Sequence, residues 1–100
     1  MVMKGVKDMT PEGRVESHLT KECKKYNILC YKFQSPSNSG VPDRVLVGNG
    51  KVFFVELKRP GEEPRKLQQQ VIKKLQKAGA TVYVADNNDE VDAIVKELLA

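Results

Sequence analysis

Cysteine and histidine are scarce in this sequence of 100 residues, which contains two cysteines and one histidine. Cys23 and Cys30 lack the spacing of a metal site, and we expect reduced, buried thiols rather than a disulfide framework. No segment approaches the ~20 apolar residues of a membrane span, and the N-terminal segment lacks the apolar region of a secretory signal. We therefore expect an intracellular, cytoplasmic protein.

Internal repeats and low-complexity tracts are also absent, and 40% of the residues are hydrophobic. This length and composition predict one ordered domain over residues 1–100, in which residues 1–9 can form a flexible N-terminus. Lysine and arginine number 17 against 13 acidic residues, which gives a net charge of +4. That charge modestly favours polyanionic partners, although solubility alone explains it equally well.

The most informative segment runs from Asp43 to Lys58 and reads DRVLVGNGKVFFVELK. Its second half is rich in β-branched and aromatic residues, as strands are. Alternation along a strand places Glu56 and Lys58 on one face, at the end of a largely apolar run. A carboxylate and an ammonium group are costly to bury there unless they pair or bind a metal ion.

A tight hairpin is predicted to bring a second carboxylate to Glu56. Asn49-Gly50 favours a type I′ turn, which requires positive φ at both central residues. Residues equidistant from that turn face each other, so Asp43 lies opposite Glu56, with Cβ atoms about 4.5–5.5 Å apart. Carboxylates this close repel unless a cation lies between them, and oxygen ligands, including the Leu57 backbone carbonyl, suit Mg²⁺ or Mn²⁺ better than zinc.

The same residues also allow a purely structural interpretation. Glu56 and Lys58 would then form a cross-strand ion pair, and Asp43 would simply begin a strand after Pro42. Glu-x-Lys on a strand is common and indicates little by itself. Its combination with Pro-Asp, a hairpin and an apolar strand favours a functional site, in which a divalent cation is held against a phosphodiester with an ammonium group beside the attacking water.

The segments before Asp43 predict a helix, a strand and a loop. Thr10, Pro11 and Glu12 are typical of a helix start, and Asn27 ends that helix. A strand follows over residues 28–33, and a Ser/Gly-rich loop over residues 35–40 either contacts phosphate or merely connects. The apolar face of the helix is predicted to comprise Val15, Leu19, Cys23 and Tyr26, with His18 at its border and no evident partner.

The segments after Lys58 predict a βαβ unit and a final helix. A helix is expected from Pro64 to Ala78, ended by Gly79, and a strand over residues 81–85. Asn87 and Glu90 then cap the last helix. The predicted fold is α/β, in the order αβββαβα, with a mixed four-stranded sheet flanked by helices. The predicted apolar positions are Leu67, Val71, Leu75 and Ala78 in the first of these helices and Val91, Ile94, Val95 and Leu98 in the second.

These motifs together resemble the VRR-NUC domain of the PD-(D/E)XK nuclease superfamily. The resemblance rests on residues 40–43 (GVPD), residues 54–58 (FVELK), Leu67-Gln68 and residues 77–79 (KAG), and it spans residues 16–83. It implies a restriction-endonuclease-like core and a stand-alone protein of viral or bacterial kind. It also implies Mg²⁺- or Mn²⁺-dependent hydrolysis of DNA, with branched DNA such as Holliday junctions as the substrate.

The resemblance also implies the roles of individual residues. An acid on the first helix completes the metal site, and this role is carried to Glu16, whose alternative is a solvent-facing glutamate. A glutamine at the head of the second helix joins the catalytic set, and this is Gln68, although Gln69 and Gln70 follow it immediately. The predicted catalytic residues are therefore Glu16, Asp43, Glu56, Lys58 and Gln68, and the predicted metal ligands are Glu16, Asp43, Glu56 and the Leu57 carbonyl.

The predicted partners are DNA and a second copy of the chain. Lys32, Arg44 and Lys66 are candidate phosphate contacts, although a solvated surface explains any single lysine as well. Symmetric cutting of a four-way junction requires two sites, so geometry and the family resemblance together favour a two-fold homodimer. A catalytically silent DNA- or protein-binding module and a flap or single-strand nuclease remain the alternatives.

Overall fold

Within residues 10–100, seven secondary-structure elements follow one another in the order that the sequence predicts. A computed structural model describes residues 10–100, and the predicted flexible segment 1–9 lies outside them. These residues confirm the predicted αβββαβα order. The elements are α1 (Pro11–Lys25), β1 (Leu29–Lys32), β2 (Arg44–Gly48), β3 (Lys51–Leu57), α2 (Lys66–Lys77), β4 (Thr81–Ala85) and α3 (Asn88–Leu99).

The four strands form one mixed sheet in the order β1-β2-β3-β4. The first two pairings are antiparallel, and β3 pairs with β4 in parallel. At the β2–β3 hairpin, Asn49 and Gly50 have φ values of 50° and 75°, as a type I′ turn requires. Arg44 faces Val55 and Gly48 faces Lys51, so the ladder continued by one residue places Asp43 opposite Glu56, as predicted.

The main hydrophobic core lies between one face of the sheet and two helices, α1 and α3. Phe53, Val55 and Leu57 of β3 point into this core. Every predicted apolar position of α3 is buried there. The helix begins after Asn87, whose Oδ1 accepts from the Glu90 N–H at 2.8 Å. The remaining core side chains are Val15, Leu19, Cys23, Ile28, Leu46, Ala85, Val91, Ile94, Val95 and Leu98.

The opposite face of the sheet is only partly covered. Ile72 of α2 and Val82 of β4 are buried outside the main core. The predicted apolar face of α2 is therefore wrong in detail: Ile72 is its buried residue, and Leu67 is 50% exposed. The helix also begins at Lys66 rather than at Pro64, and it ends before Gly79, whose φ is 106°.

Two rows of apolar side chains on that face are only partly covered: Val45, Val47 and Phe54 are half-buried, and the Phe33 ring packs on Phe54 with centroids 5.3 Å apart. In register, Leu29, Val47 and Val52 form one row, and Tyr31, Val45 and Phe54 form the next. Leu29, Tyr31 and Val52 are 51%, 59% and 52% exposed. These six residues are called the open sheet face below.

Two further expectations for α1 are corrected by the structure. Tyr26 is not in the core but 43% exposed, because α1 ends at Lys25 and Asn27 turns the chain with a φ of 57°. His18 does have a partner, since its Nε2 lies 2.6 Å from the Asp92 Oδ1 of α3. None of the helices within residues 10–100 is long and apolar enough to cross a membrane.

Candidate active site

Acidic and basic side chains gather in an open cleft at the carboxyl end of β3. The cleft is open and has a volume of about 410 Å³, so a phosphate group can enter it. A larger cleft of about 590 Å³ between α1 and α3 holds no such gathering of acids against a buried lysine. The residues that line the site cleft are Glu12, Asp43, Glu56, Lys58, Glu62, Glu63, Arg65 and Gln68.

Asp43 is held at the cleft by the backbone on both sides. It precedes β2, and its carbonyl accepts from the Phe33 N–H at 2.8 Å. Its Oδ2 accepts from the Leu57 N–H of β3 at 2.9 Å, which ties the carboxylate to the strand that carries Glu56. Burial raises the pKa of Asp43 despite the opposing effects of the Leu57 N–H and Lys58.

Glu56 is almost completely buried, with 1% of its surface exposed. Its Oε2 accepts from the Gln68 Nε2 at 2.9 Å and lies 3.3 Å from the Lys58 Nζ. Its Oε1 is buried and has no hydrogen-bond partner among residues 10–100. Burial first, and then the charge of Asp43, raise the pKa of Glu56 from 4.5 to about 7.

Gln68 connects the second helix to the buried carboxylate. It occupies the third position of α2, where its Oε1 accepts from the Arg65 N–H at 2.9 Å while its Nε2 donates to Glu56. Both polar ends of the amide are therefore used. Gln69 instead donates to the Pro64 carbonyl at 2.7 Å, so the structure places Gln68, and not its neighbour, at the cleft.

Glu12 lines the cleft, and sequence reasoning missed it. Glu12 lines the same cleft as Asp43 and Glu56, and burial, followed by the charge of Asp43, raises its pKa. The topology contains a signal for it. Only two residues after the Tyr26 cap separate α1 from β1, so the chain reverses there, and the start of α1 lies at the Asp43 end of the sheet.

Glu16 is the predicted catalytic residue that the structure does not bring into the cleft. It lies one helical turn beyond Glu12, about 6 Å farther along the helix axis. Its Oε2 accepts from the Arg44 Nη2 at 3.0 Å. Burial and, among the nearby charges, that of Glu16 raise the pKa of Asp43, so Glu16 lies near the site although its direct contact is with Arg44. Its metal role stays a prediction.

The predicted phosphate contacts differ in their availability. Lys32 and Lys66 are exposed. Arg44 is only 8% exposed, and its guanidinium donates to Glu16 and to the Cys30 Sγ, so it is not placed to contact DNA. Leu57 contributes its N–H to Asp43, and its carbonyl remains a predicted ligand.

The donor set of the cleft fits a hard divalent cation, although its side chains do not form a closed cage. No three His, Cys, Asp or Glu side chains within residues 10–100 already surround a possible ion position. Within the described residues, the buried Glu56 Oε1 nevertheless has no hydrogen-bond partner, and the negative charges of Asp43 and Glu56 repel each other. Mg²⁺ and Mn²⁺ bind oxygen ligands, usually one or two protein carboxylates together with retained waters. The cleft provides carboxylate oxygens of this kind, and one of them has no hydrogen-bond partner within residues 10–100.

Comparison with known proteins places this geometry in a family. No family model matches the chain. A phage protein described as "Putative nuclease p44", from Acyrthosiphon pisum secondary endosymbiont phage 1, is 44% identical to it over 79 residues, which cover 78% of this chain and 85% of the relative. A solved VRR-NUC domain matches with a TM-score of 0.80 at 28% identity, over 87% of this chain and 96% of the other.

Proposed function

Since the chain belongs to the VRR-NUC family of nucleases, we propose that it is a Mg²⁺- or Mn²⁺-dependent endonuclease that hydrolyses phosphodiester bonds in branched DNA. The observation that carries this proposal is the Asp43–Glu56 pair. One member of the pair has a buried, unpartnered oxygen, and a lysine lies 3.3 Å from the other oxygen of the same carboxylate.

Three side chains are proposed to hold the divalent ion. Asp43 and Glu56 provide the ligands, and Glu12 completes the set from α1 in the place first assigned to Glu16. When bound, the ion supplies Lewis-acid charge beside the scissile phosphate. Burial first, and then the charge of Asp43, raise the pKa of Glu12 and of Glu56, and a bound cation would neutralise the part that comes from Asp43.

Lys58 and Gln68 are proposed to act on the water and on the phosphate. The ammonium group of Lys58 is buried and fixed by Glu56, so it can orient the attacking water and stabilise negative charge that develops on the phosphate. Gln68 fixes the Glu56 carboxylate through Nε2 and is itself fixed through Oε1. This chain of contacts keeps the catalytic groups in place before DNA arrives.

DNA is proposed to approach the cleft from the side of the second helix. Arg65 lines the cleft, and Lys66 begins α2 beside it. Amides at a helix start and nearby cations favour a phosphate group. Lys32 lies at the end of β1 and pairs with Arg44, the residue that follows Asp43. From there it can contact the DNA strand that is cut or an adjacent DNA strand.

The open sheet face supports the proposal of a two-fold homodimer. Its six side chains include no charge, so they cannot neutralise phosphate groups, whereas a second copy presents the same apolar surface. Such faces pack about 10 Å apart in sheet-on-sheet interfaces. The Asp43–Glu56 pair is the next row along the same strands, so a dimer would carry both sites beside one interface.

Sedimentation of the purified chain tests the dimer. The chain should sediment as a dimer, and Tyr31→Lys should convert it to a monomer, because a lysine on the open sheet face would have to be buried without a partner. Tyr26→Lys is a matched control, since Tyr26 is 43% exposed but lies off that face. A wild-type monomer at every concentration, with or without junction DNA, would remove the dimer.

A panel of labelled DNA substrates tests the activity. Four-way junction, flap, linear duplex and single-stranded DNA are incubated with the chain and Mn²⁺, or with EDTA. The junction should be cut in Mn²⁺ alone, and Glu56→Gln should bind the junction without cutting it. Glu97→Gln, a change of equal charge on an exposed residue of α3, should cut as the wild type does. Binding of DNA by the wild type without cutting would instead indicate a silent binding module, and preferred cutting of flaps or single strands would change the substrate.

A further inference from the structure

A second group of reactive side chains lies on the other side of the sheet from the open face. Cys23 of α1 and Cys30 of β1 are both free, and Cys23 belongs to the core while Cys30 packs against it, partly exposed. The Cys23 carbonyl accepts from the Ile28 N–H at 2.8 Å, which holds the turn before β1 against the last turn of α1. The two cysteines therefore lie on adjoining elements, a helix and the edge strand of the sheet, and each thiol affects the pKa of the other.

Arg44 makes the two thiols chemically unequal. Its Nη1 lies 3.9 Å from the Cys30 Sγ, while its Nη2 donates to Glu16. Its Nε is buried and has no partner within residues 10–100, and its positive charge, although paired with Glu16, lies beside Cys30 and favours the thiolate there. The hydrogen bond from Cys23 and the charge of Arg44 lower the pKa of Cys30 to about 7, against the effect of burial and of Glu16.

Cys23 has the opposite character. It is 1% exposed, and its hydrogen bond to Cys30, its burial and the nearby Glu22 raise its pKa. A partly exposed thiolate beside a buried thiol is the arrangement of a nucleophilic cysteine and its resolving cysteine. The mechanism proposed for DNA cleavage uses neither residue.

We propose that Cys23 and Cys30 are a redox-active dithiol that hydrogen peroxide oxidises to an intrachain disulfide. The Cys30 thiolate attacks the peroxide: an S–O bond forms, the O–O bond breaks, and the leaving hydroxide takes a proton and departs as water. The Cys23 thiol then attacks the resulting sulfenic sulfur: the S–S bond forms, the S–O bond breaks, and a second water leaves. Two thiols are oxidised, and one peroxide is reduced to two waters.

The bridge would join the last full turn of α1 to β1. Six residues separate the two cysteines in sequence, including the turn at Asn27 with its φ of 57°. Oxidation would also remove the acceptor that Arg44 has at Cys30. The disulfide is therefore expected to stiffen this corner of the fold and to leave Arg44 with Glu16 as its ionic partner.

Hydrogen peroxide treatment of the full chain tests the proposal. The treated protein is denatured, alkylated with iodoacetamide and analysed by intact and peptide mass spectrometry. The wild type should lose both alkylatable thiols, remain a single chain on a non-reducing gel, and yield a Cys23–Cys30 cross-linked peptide that dithiothreitol separates. Thiols that stay alkylatable, or disulfides that form only between chains, would overturn the proposal.

The two serine variants test the division of roles. In Cys23→Ser, peroxide should convert Cys30 to a sulfenic acid that dimedone traps, because no resolving thiol remains. In Cys30→Ser, native alkylation of Cys23 should be slower than that of wild-type Cys30 by about tenfold or more, as expected for a buried thiol against a thiolate. Equal reactivity of both cysteines in the native wild type, which requires no variant to fold, would contradict the assignment.

Discussion

Replacing Glu56 by glutamine should make the metal-free protein more stable at pH 8, although the same change should abolish cleavage. Burial and the charge of Asp43 raise the pKa of Glu56 from 4.5 to about 7 in the folded chain. Below pH 4.5 the carboxyl is protonated in both the folded and unfolded states. As the pH rises to about 7, the unfolded chain loses this proton first, so the free energy of unfolding falls.

The size of this loss follows from the same pKa. The difference between 4.5 and about 7 corresponds to about 3 kcal/mol once both states are ionised. Glutamine resembles the protonated acid in shape and charge, so it should restore most of that amount above pH 7. For a domain of this length, 1 kcal/mol moves the melting temperature by roughly 4–8 °C, which predicts an increase of roughly 10–20 °C.

Urea and thermal unfolding in EDTA between pH 5 and pH 8 provide the assay. The free energy of unfolding of the wild type should fall over this range, whereas that of Glu56→Gln should change much less. Glu97→Gln controls for the loss of one acidic charge and should follow the wild type. A Glu56→Gln protein that is less stable than the wild type at pH 8, or that keeps the wild-type slope, would refute the reasoning about this buried carboxylate.

Three further predictions concern the metal and the catalytic groups. Mn²⁺ at 100 times its Kd should raise the free energy of unfolding of the wild type by about 2.7 kcal/mol at pH 8. The free energy of unfolding of Glu56→Gln should stay nearly unchanged, and calorimetry measures both. Lys58→Ala should lower kcat by about 10²–10³-fold while Mn²⁺ binding persists, and unchanged turnover would remove Lys58 from the mechanism. Glu12→Gln should lower metal affinity or activity by about 10–100-fold, whereas Glu16→Gln should cut at close to the wild-type rate. The reverse ranking would return the role to Glu16.

The fold and the central pair were predictable because local signals determine them. Asn49-Gly50 permits a type I′ turn, and that turn fixes the β2–β3 register and with it the pairing of Asp43 and Glu56. Thr10 and Asn87 cap their helices as predicted. The turn and the caps depend only on residues that are close in sequence, so they can be predicted from one sequence.

The remaining features depend on how distant elements meet. Glu12 and Glu16 lie on the same side of a helix, and only the placement of α1 against the sheet puts Glu12 in the cleft lining and Glu16 beside Arg44. Ile72 is the buried residue of α2, which packs against β4, and the sequence pattern of the helix does not specify which apolar residue this contact buries. The His18–Asp92 contact joins residues 74 positions apart and has no local signature.

Binding of Mn²⁺ to the metal-free protein, followed by electron paramagnetic resonance, tests the central claim most directly. Asp43 and Glu56 together should bind the ion, so the wild type should take up Mn²⁺, and both Asp43→Asn and Glu56→Gln should lose that uptake while remaining folded. Glu97→Gln should bind as the wild type does. Equal Mn²⁺ binding by the wild type and by the two site variants would contradict the claim.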